Sequence, residues 1–253
     1  MSLLDDFGFR PARIGIAIIL ILLAGTAYNT WRNARIDALA RAALDKKADV
    51  SSMKRLAGYS GQRSAELLGA VASGAQNQQV RLAALQALVD RKDAARVSRL
   101  SELLLPSENL AMRQALANAL YQTGCSVECV KNILYFEERM WRGDRPAEEV
   151  EPNPPKTLSE KEQELQTSLD EVLCRNKAAL GAVLERTYGL AGPFPSPFAV
   201  EMVSRLGITE ACPLLMRTYL TVSENVKASP EYKSVADAVQ KLGCEGRPIP
   251  SQP

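Results

Sequence analysis

Residues 80–88 read Val-Arg-Leu-Ala-Ala-Leu-Gln-Ala-Leu and residues 112–120 read Met-Arg-Gln-Ala-Leu-Ala-Asn-Ala-Leu. These are two amphipathic stretches with one pattern, 32 positions apart. Apolar residues at i, i+3, i+4 and i+7 predict helices, and a period near 32 predicts stacked helix pairs. The same offset works in the preceding stretch. It superposes Ala65 on Val97, Leu68 on Leu100 and Val71 on Leu103, just as it superposes Val80 on Met112, Ala83 on Ala115, Ala84 on Leu116 and Leu88 on Leu120. Each repeat therefore reads as a first helix (64–71, 94–105) and a second helix (79–89, 110–121). Pro106 stops one first helix and Ser107 caps its partner.

Before the repeats, 32–44 predicts a helix with Ile36, Leu39, Ala40, Ala43 and Leu44 on one stripe, and 51–56 a shorter one closed by Gly58 and Gly61. After them, 125–143 continues as helix, capped by Ser126. The pattern then stops. Residues 144–157 hold Pro146, Pro152, Pro154 and Pro155 among four acids and have almost nothing to bury, so they read as a linker. Helical periodicity resumes to Tyr188, bent near Arg175 and Asn176. Two overlapping capping boxes could start it, Thr157 with Glu160 or Ser159 with Glu162. Ser196-Pro197 and Ser229-Pro230 are start signals, and 209–221 predicts a helix between them. A second echo follows, because 199–207 and 235–243 align at an offset of 36. Residues 158–245 thus read as degenerate repeats, and 246–253 as a disordered tail.

Residues 14–31, from Ile14 to Trp31, hold no charge and lack a polar face. Eighteen helical residues cover roughly 27 Å, close to a hydrocarbon core of about 30 Å. Tyr28 and Trp31 stand at one end, where amphipathic aromatics favour headgroups. This predicts a single-pass membrane segment after a short tail (1–13) and before a stalk (32–60). Gly25-Thr26-Ala27, with Arg10 and Arg13 upstream, also fits a cleaved signal peptide; a retained anchor is the expectation. Positive-inside counting over Arg32, Arg35, Arg41, Lys46 and Lys47 favours a cytoplasmic body. The 13-residue tail before one apolar helix and the five cysteines favour an extracytoplasmic one, and the latter is expected.

Composition removes whole classes of chemistry. The chain has no histidine, which excludes Ser-His-Asp and Cys-His mechanisms and His-containing zinc sites. No phosphate-binding loop or dinucleotide fingerprint appears. Glu137-Glu138 and the acids of 160–171 read as solvated faces, since neighbouring helical positions diverge. No cofactor, metal, nucleic acid or small-molecule substrate is expected. Charge is uneven: residues 31–143 carry 17 Lys+Arg against 11 Asp+Glu, and 144–253 carry 12 against 16.

Among the cysteines, Cys125 and Cys129 have i, i+4 spacing, and Cys125 and Cys244 each follow a glycine. A Cys125–Cys129 bridge, a Cys212–Cys244 bridge, and reduced core cysteines are all open, with at least one of the five left unpaired. Arg81 and Arg113 hold matching positions in the second helices and are candidate partner contacts. Tyr135 and Trp141, with Phe136, form the densest aromatic cluster of the body and could anchor a partner.

The Val-Arg-x-x-Ala-x-x-Ala-Leu pattern around Arg81 and Arg113 resembles the HEAT-repeat family over residues 61–123. The acid usual before the Val-Arg step is Gln78/Gln79 in one copy and Leu110/Ala111 in the other. The resemblance implies an α-solenoid that binds proteins. The expectation is therefore an all-α, short HEAT-like solenoid (61–143 and its degenerate continuation) with an N-terminal transmembrane helix. It would act as a membrane-anchored scaffold or adaptor for a protein partner. A structural subunit of a membrane complex is the alternative, and a carboxylate- or cysteine-dependent enzyme a more distant one.

Overall fold

The structure, a computed structural model, describes residues 11–45, 50–104, 109–142, 159–190, 192, 195–221, 227 and 229–245, with side chains from residue 16 onward. Among them it is all-α, with no strand. The chain divides into two compact units, residues 1–84 and 85–253.

The first unit is built on α1 (Pro11–Leu44), one uninterrupted helix of 34 residues. It joins the expected span and stalk without a break. Its lower part packs on α2 (Val50–Ala57) and α3 (Gln62–Gly74). Ile36, Ala40 and Ala43 of α1 meet Met53 and Leu56 of α2 and Ala65, Leu68, Val71 and Ala72 of α3 in a buried core. Leu44, expected on that stripe, is exposed at the helix end. The unit closes in α4 (Gln78–Asp90).

Among the described residues no helix is long and apolar enough to cross a membrane. The expected transmembrane segment, Ile14 to Trp31, begins before the first described side chain and includes the polar Thr26, Tyr28, Asn29 and Thr30 near its end. What α1 carries from Ile16 to Leu23 is a run of exposed apolar side chains.

The second unit holds α5 (Ala94–Arg99), α6 (Leu110–Thr123), α7 (Val127–Arg142), α8 (Glu160–Arg175), α9 (Lys177–Tyr188), α10 (Pro197–Arg205), α11 (Cys212–Thr221) and α12 (Pro230–Lys241). Helices two apart in sequence pack together: α5 on α7, α6 on α8, α7 on α9, and α10 on α12. The expected helix over 94–105 tightens after Arg99 into a 3₁₀ turn, Leu100–Leu104. There i and i+3 eclipse, so Ser101 and Leu104 are buried while Leu103, the residue matched to Val71, is only half-buried. Ser98 and Ser101 remain satisfied inside. Ser98 Oγ accepts from the Ser126 amide at 2.9 Å and Asn132 Nδ2 donates to Ser101 Oγ at 3.0 Å, which ties α5 and its turn to α7.

Caps follow from the boundaries. Because α6 begins at Leu110, the residue before it, Asn109, accepts from the Met112 amide at 2.9 Å; Ser107 falls outside the described residues. Ser126 caps α7 through the Cys129 amide at 3.2 Å. Ser159 and Glu162 form the capping box of α8, and Thr157 lies outside the described residues. Asn176, neither helical nor extended, separates α8 from α9. The linker 144–157 and tail 246–253 also lie outside the described residues.

Both echoes extend into burial and backbone. Residues 78–88 and 110–120 have the same burial class at every position. At the second echo, Gly207 and Gly243 both adopt left-handed φ, 63° and 61°. Each is followed by an amide that bonds five residues back: Ile208 to the Val203 carbonyl and Cys244 to the Val239 carbonyl, both at 3.0 Å. That is the Schellman stop, for which glycine avoids a Cβ clash.

Candidate functional site

The sequence-predicted site residues scatter. Cys125 and Cys129 are disulfide-bonded across the start of α7, with Cα atoms 5.5 Å apart. Cys125 can reach because it precedes the cap Ser126 and follows Gly124 at φ 100°. Cys212 and Cys244 are bonded with Cα atoms 5.2 Å apart, tying the start of α11 to the residue after the α12 stop. Cys174 is a half-buried free thiol whose pKa is raised, by burial first and by the Asp170 charge second. Among the described residues no group of three or more Cys, Asp or Glu could hold a metal ion.

Arg81 and Arg113 match in sequence but not in contact. Arg81 Nε donates to the Ala72 carbonyl at 2.9 Å, satisfying an end carbonyl of α3. The Arg113 guanidinium lies 5.2 Å from the Phe136 ring centroid. Tyr135, Phe136 and Trp141 do not form one surface, since successive helical residues turn by 100°. Tyr135 is exposed and Phe136 buried, while Trp141 turns towards Phe198 at 6.0 Å, with the Tyr188 ring tilted against the same ring at 5.2 Å.

The densest chemistry lies elsewhere, where α7, α8 and α10 meet. Glu137, only 1% exposed, occupies the stripe that begins with Val130, Ile133 and Leu134. Its Oε2 accepts from Arg205 Nη2 at 2.8 Å and from Gln166 Nε2 at 3.2 Å. The same Arg205 nitrogen donates to Asp170 Oδ1 at 2.8 Å. Glu138, the neighbour of Glu137, turns away and pairs with Arg142. The adjacent acids thus diverge as expected, yet Glu137 is not on a solvated face; its carboxylate shares a cation with Asp170 from the 160–171 run. Glu137 Oε1 and Arg205 Nε have no hydrogen-bond partner among the described residues.

A charge enters such a place at a cost of several kcal/mol, offset by its counter-charge. The outcome differs by group. At Asp170 burial dominates, opposed by Arg205 and aided by the Glu137 charge, and the carboxyl is pushed up to about 6. The arrangement clamps three helices and holds one proton-binding carboxyl within reach of pH 6. An arginine bound to both carboxylates is the geometry of a structural bridge.

The sign of the pH dependence follows. Since the folded Asp170 binds its proton more tightly than the unfolded one, the native state carries more protons between about pH 4 and pH 6. Stability therefore falls as pH rises through that window. Asp170→Asn removes this titration. Its stability relative to the parent chain is expected to rise by about 2–3 kcal/mol from pH 4 to pH 7, read from paired urea titrations. A difference that stays flat with pH would show that Asp170 does not titrate there.

The signal for Glu137 was its place in an otherwise apolar stripe. Arg205 carried no comparable sequence signal, because it joins the network only through the packing of α10. Comparison of the chain with protein-family models, curated proteins and solved structures finds no match.

Proposed function

We propose that the chain is a membrane-anchored helical-repeat scaffold that holds a protein partner near the bilayer. One observation carries the anchor. Ile16, Ile18, Ile19, Leu20, Ile21, Leu22 and Leu23 of α1 are between 53% and 70% exposed. Six of these are consecutive, so at 100° per residue they circle the helix and leave no polar face to turn towards water. Thr26 donates its hydroxyl to the Leu23 carbonyl at 2.9 Å, so this polar group needs no solvent. With 34 residues, α1 is roughly 51 Å long, enough for a hydrocarbon core of about 30 Å and a stalk beyond it.

The scaffold reading is supported by the repeated burial of 78–88 and 110–120 and by helices that pack on their second neighbours, as stacked helix pairs do. The HEAT-like solenoid remains the form proposed for it. The two disulfides favour an extracytoplasmic body. The exposed ring of Tyr135 on α7 is a candidate partner contact.

A scaffold is recovered with what it holds. After crosslinking in intact membranes and detergent extraction, the chain is expected in a complex with a second protein at fixed ratio, weighed by light scattering. Recovery of the crosslinked chain at its own 27.6 kDa would contradict the scaffold.

A further inference from the structure

We propose that the membrane-facing end of the first unit is a docking surface for anionic phospholipid headgroups, an inference that rests on the anchor reading. Four structural facts set the direction of the three helices. Arg32 donates to the Ser60 carbonyl, and its guanidinium lies beside Gly61. Arg63 pairs with Asp37 at 3.0 Å. At the other end, Gly74 lies against Leu44, 3.8 Å from a Cβ built on the glycine to the leucine Cδ2. α3 therefore runs alongside α1 in the same direction, and α2 runs back towards the apolar stretch.

This topology gathers cations that are distant in sequence. Arg32 and Arg35 follow Trp31 on α1 by roughly 1.5 and 6 Å of rise. The headgroup layer beyond each face of a hydrocarbon core is about 5–8 Å thick, so both fall within it once Trp31 sits at the interface. Lys54 and Arg55 occupy the last turn of α2, which ends at that level, and both are exposed. Arg63 lies in the first turn of α3. Asp37 is the acid that accompanies them, one half-turn farther out and paired with Arg63. The aromatic part of the collar is ordered too. Trp31 and Tyr28 are exposed with ring centroids 6.1 Å apart, and the Arg35 guanidinium stands 5.4 Å from the Trp31 ring. An apolar ring, then aromatics, then converging cations match the layers of a bilayer carrying negative headgroups.

The test uses the full chain carrying Trp141→Phe, which leaves Trp31 as its one tryptophan. It is reconstituted in phosphatidylcholine vesicles. Phosphatidylcholine or phosphatidylglycerol, brominated near the headgroup end of the acyl chain, is then added in increasing proportion while Trp31 fluorescence is read. The expected result is a five- to tenfold preference for the phosphatidylglycerol quencher. The preference is expected to disappear in Arg35→Gln/Lys54→Gln/Arg55→Gln and to persist in the charge-conserving Arg35→Lys/Lys54→Arg/Arg55→Lys. Equal quenching by both lipids in the parent chain would overturn the docking surface while leaving the anchor standing. Equal loss of preference in both triple variants would overturn the assignment to charge. No quenching by either lipid would overturn the anchor and the docking surface together.

Discussion

Arg205→Met is expected to destabilise the second unit by about 3–5 kcal/mol, the usual cost of removing one partner from a buried ion pair. Among the described residues, Arg205 is the cation that Glu137 and Asp170 share. Without it Glu137, 1% exposed, keeps among the described residues only the Gln166 amide at 3.2 Å, and its other oxygen has no partner among them. Asp170 is less affected, because its side chain is 23% exposed and water can take up the lost bond. The loss is a property of the stranded charge. Replacing both partners by apolar groups is often neutral, so Glu137→Met/Arg205→Met should recover most of the stability that Arg205→Met loses. Urea unfolding of the parent chain, the single variant and the double variant measures it. A single variant within 1 kcal/mol of the parent, or a double variant no better than the single, would contradict a buried Glu137 held by Arg205.

Much of the fold was legible because it is periodic. The offset of 32 located α3 to α6, and the burial of 78–88 and 110–120 repeats position by position. Local signals also held: the hydrogen-bonded capping box at Ser159 and Glu162, and the sterically set proline starts of α10 and α12. The failures have physical causes as well. Nothing in residues 94–105 marks the change of pitch after Arg99, since 3₁₀ and α turns accept the same residues; the apolar face therefore moved from Leu103 to Leu104. Ser107 reads as a cap from its residue type alone, but Asn caps as well as Ser, and the start of α6 at Leu110 gives that role to Asn109.

Charged residues were the least legible. A carboxylate reads as solvated until three helices are known to meet over it, and Glu137, Asp170 and Arg205 span 68 positions of sequence. Likewise, the 32-residue offset aligns Arg81 with Arg113, but their contacts depend on which neighbours the helices meet: the end of α3 in one case, Phe136 in the other.

Deleting residues 1–31 is expected to turn a membrane-bound chain into one that stays in water, an all-or-none change. Fully burying one large aliphatic side chain is worth about 1.5–3 kcal/mol. The seven exposed between Ile16 and Leu23 together therefore favour hydrocarbon by on the order of 10 kcal/mol or more. No exposed ion pair elsewhere on α1, each worth at most about 1 kcal/mol, can offset that. A single charge within the ring has the same sense: Ile21→Arg places a cation on the most exposed position, 70%, at a cost of about 2.5–3.5 kcal/mol if that position lies at mid-bilayer. The most direct measurement is flotation of the reconstituted full chain with phosphatidylcholine vesicles through a density gradient containing alkaline carbonate, beside the chain lacking residues 1–31. The full chain is expected to float with the vesicles and the shortened chain to remain at the bottom. A full chain that carbonate strips from the vesicles would contradict the anchor and, with it, the scaffold at the membrane.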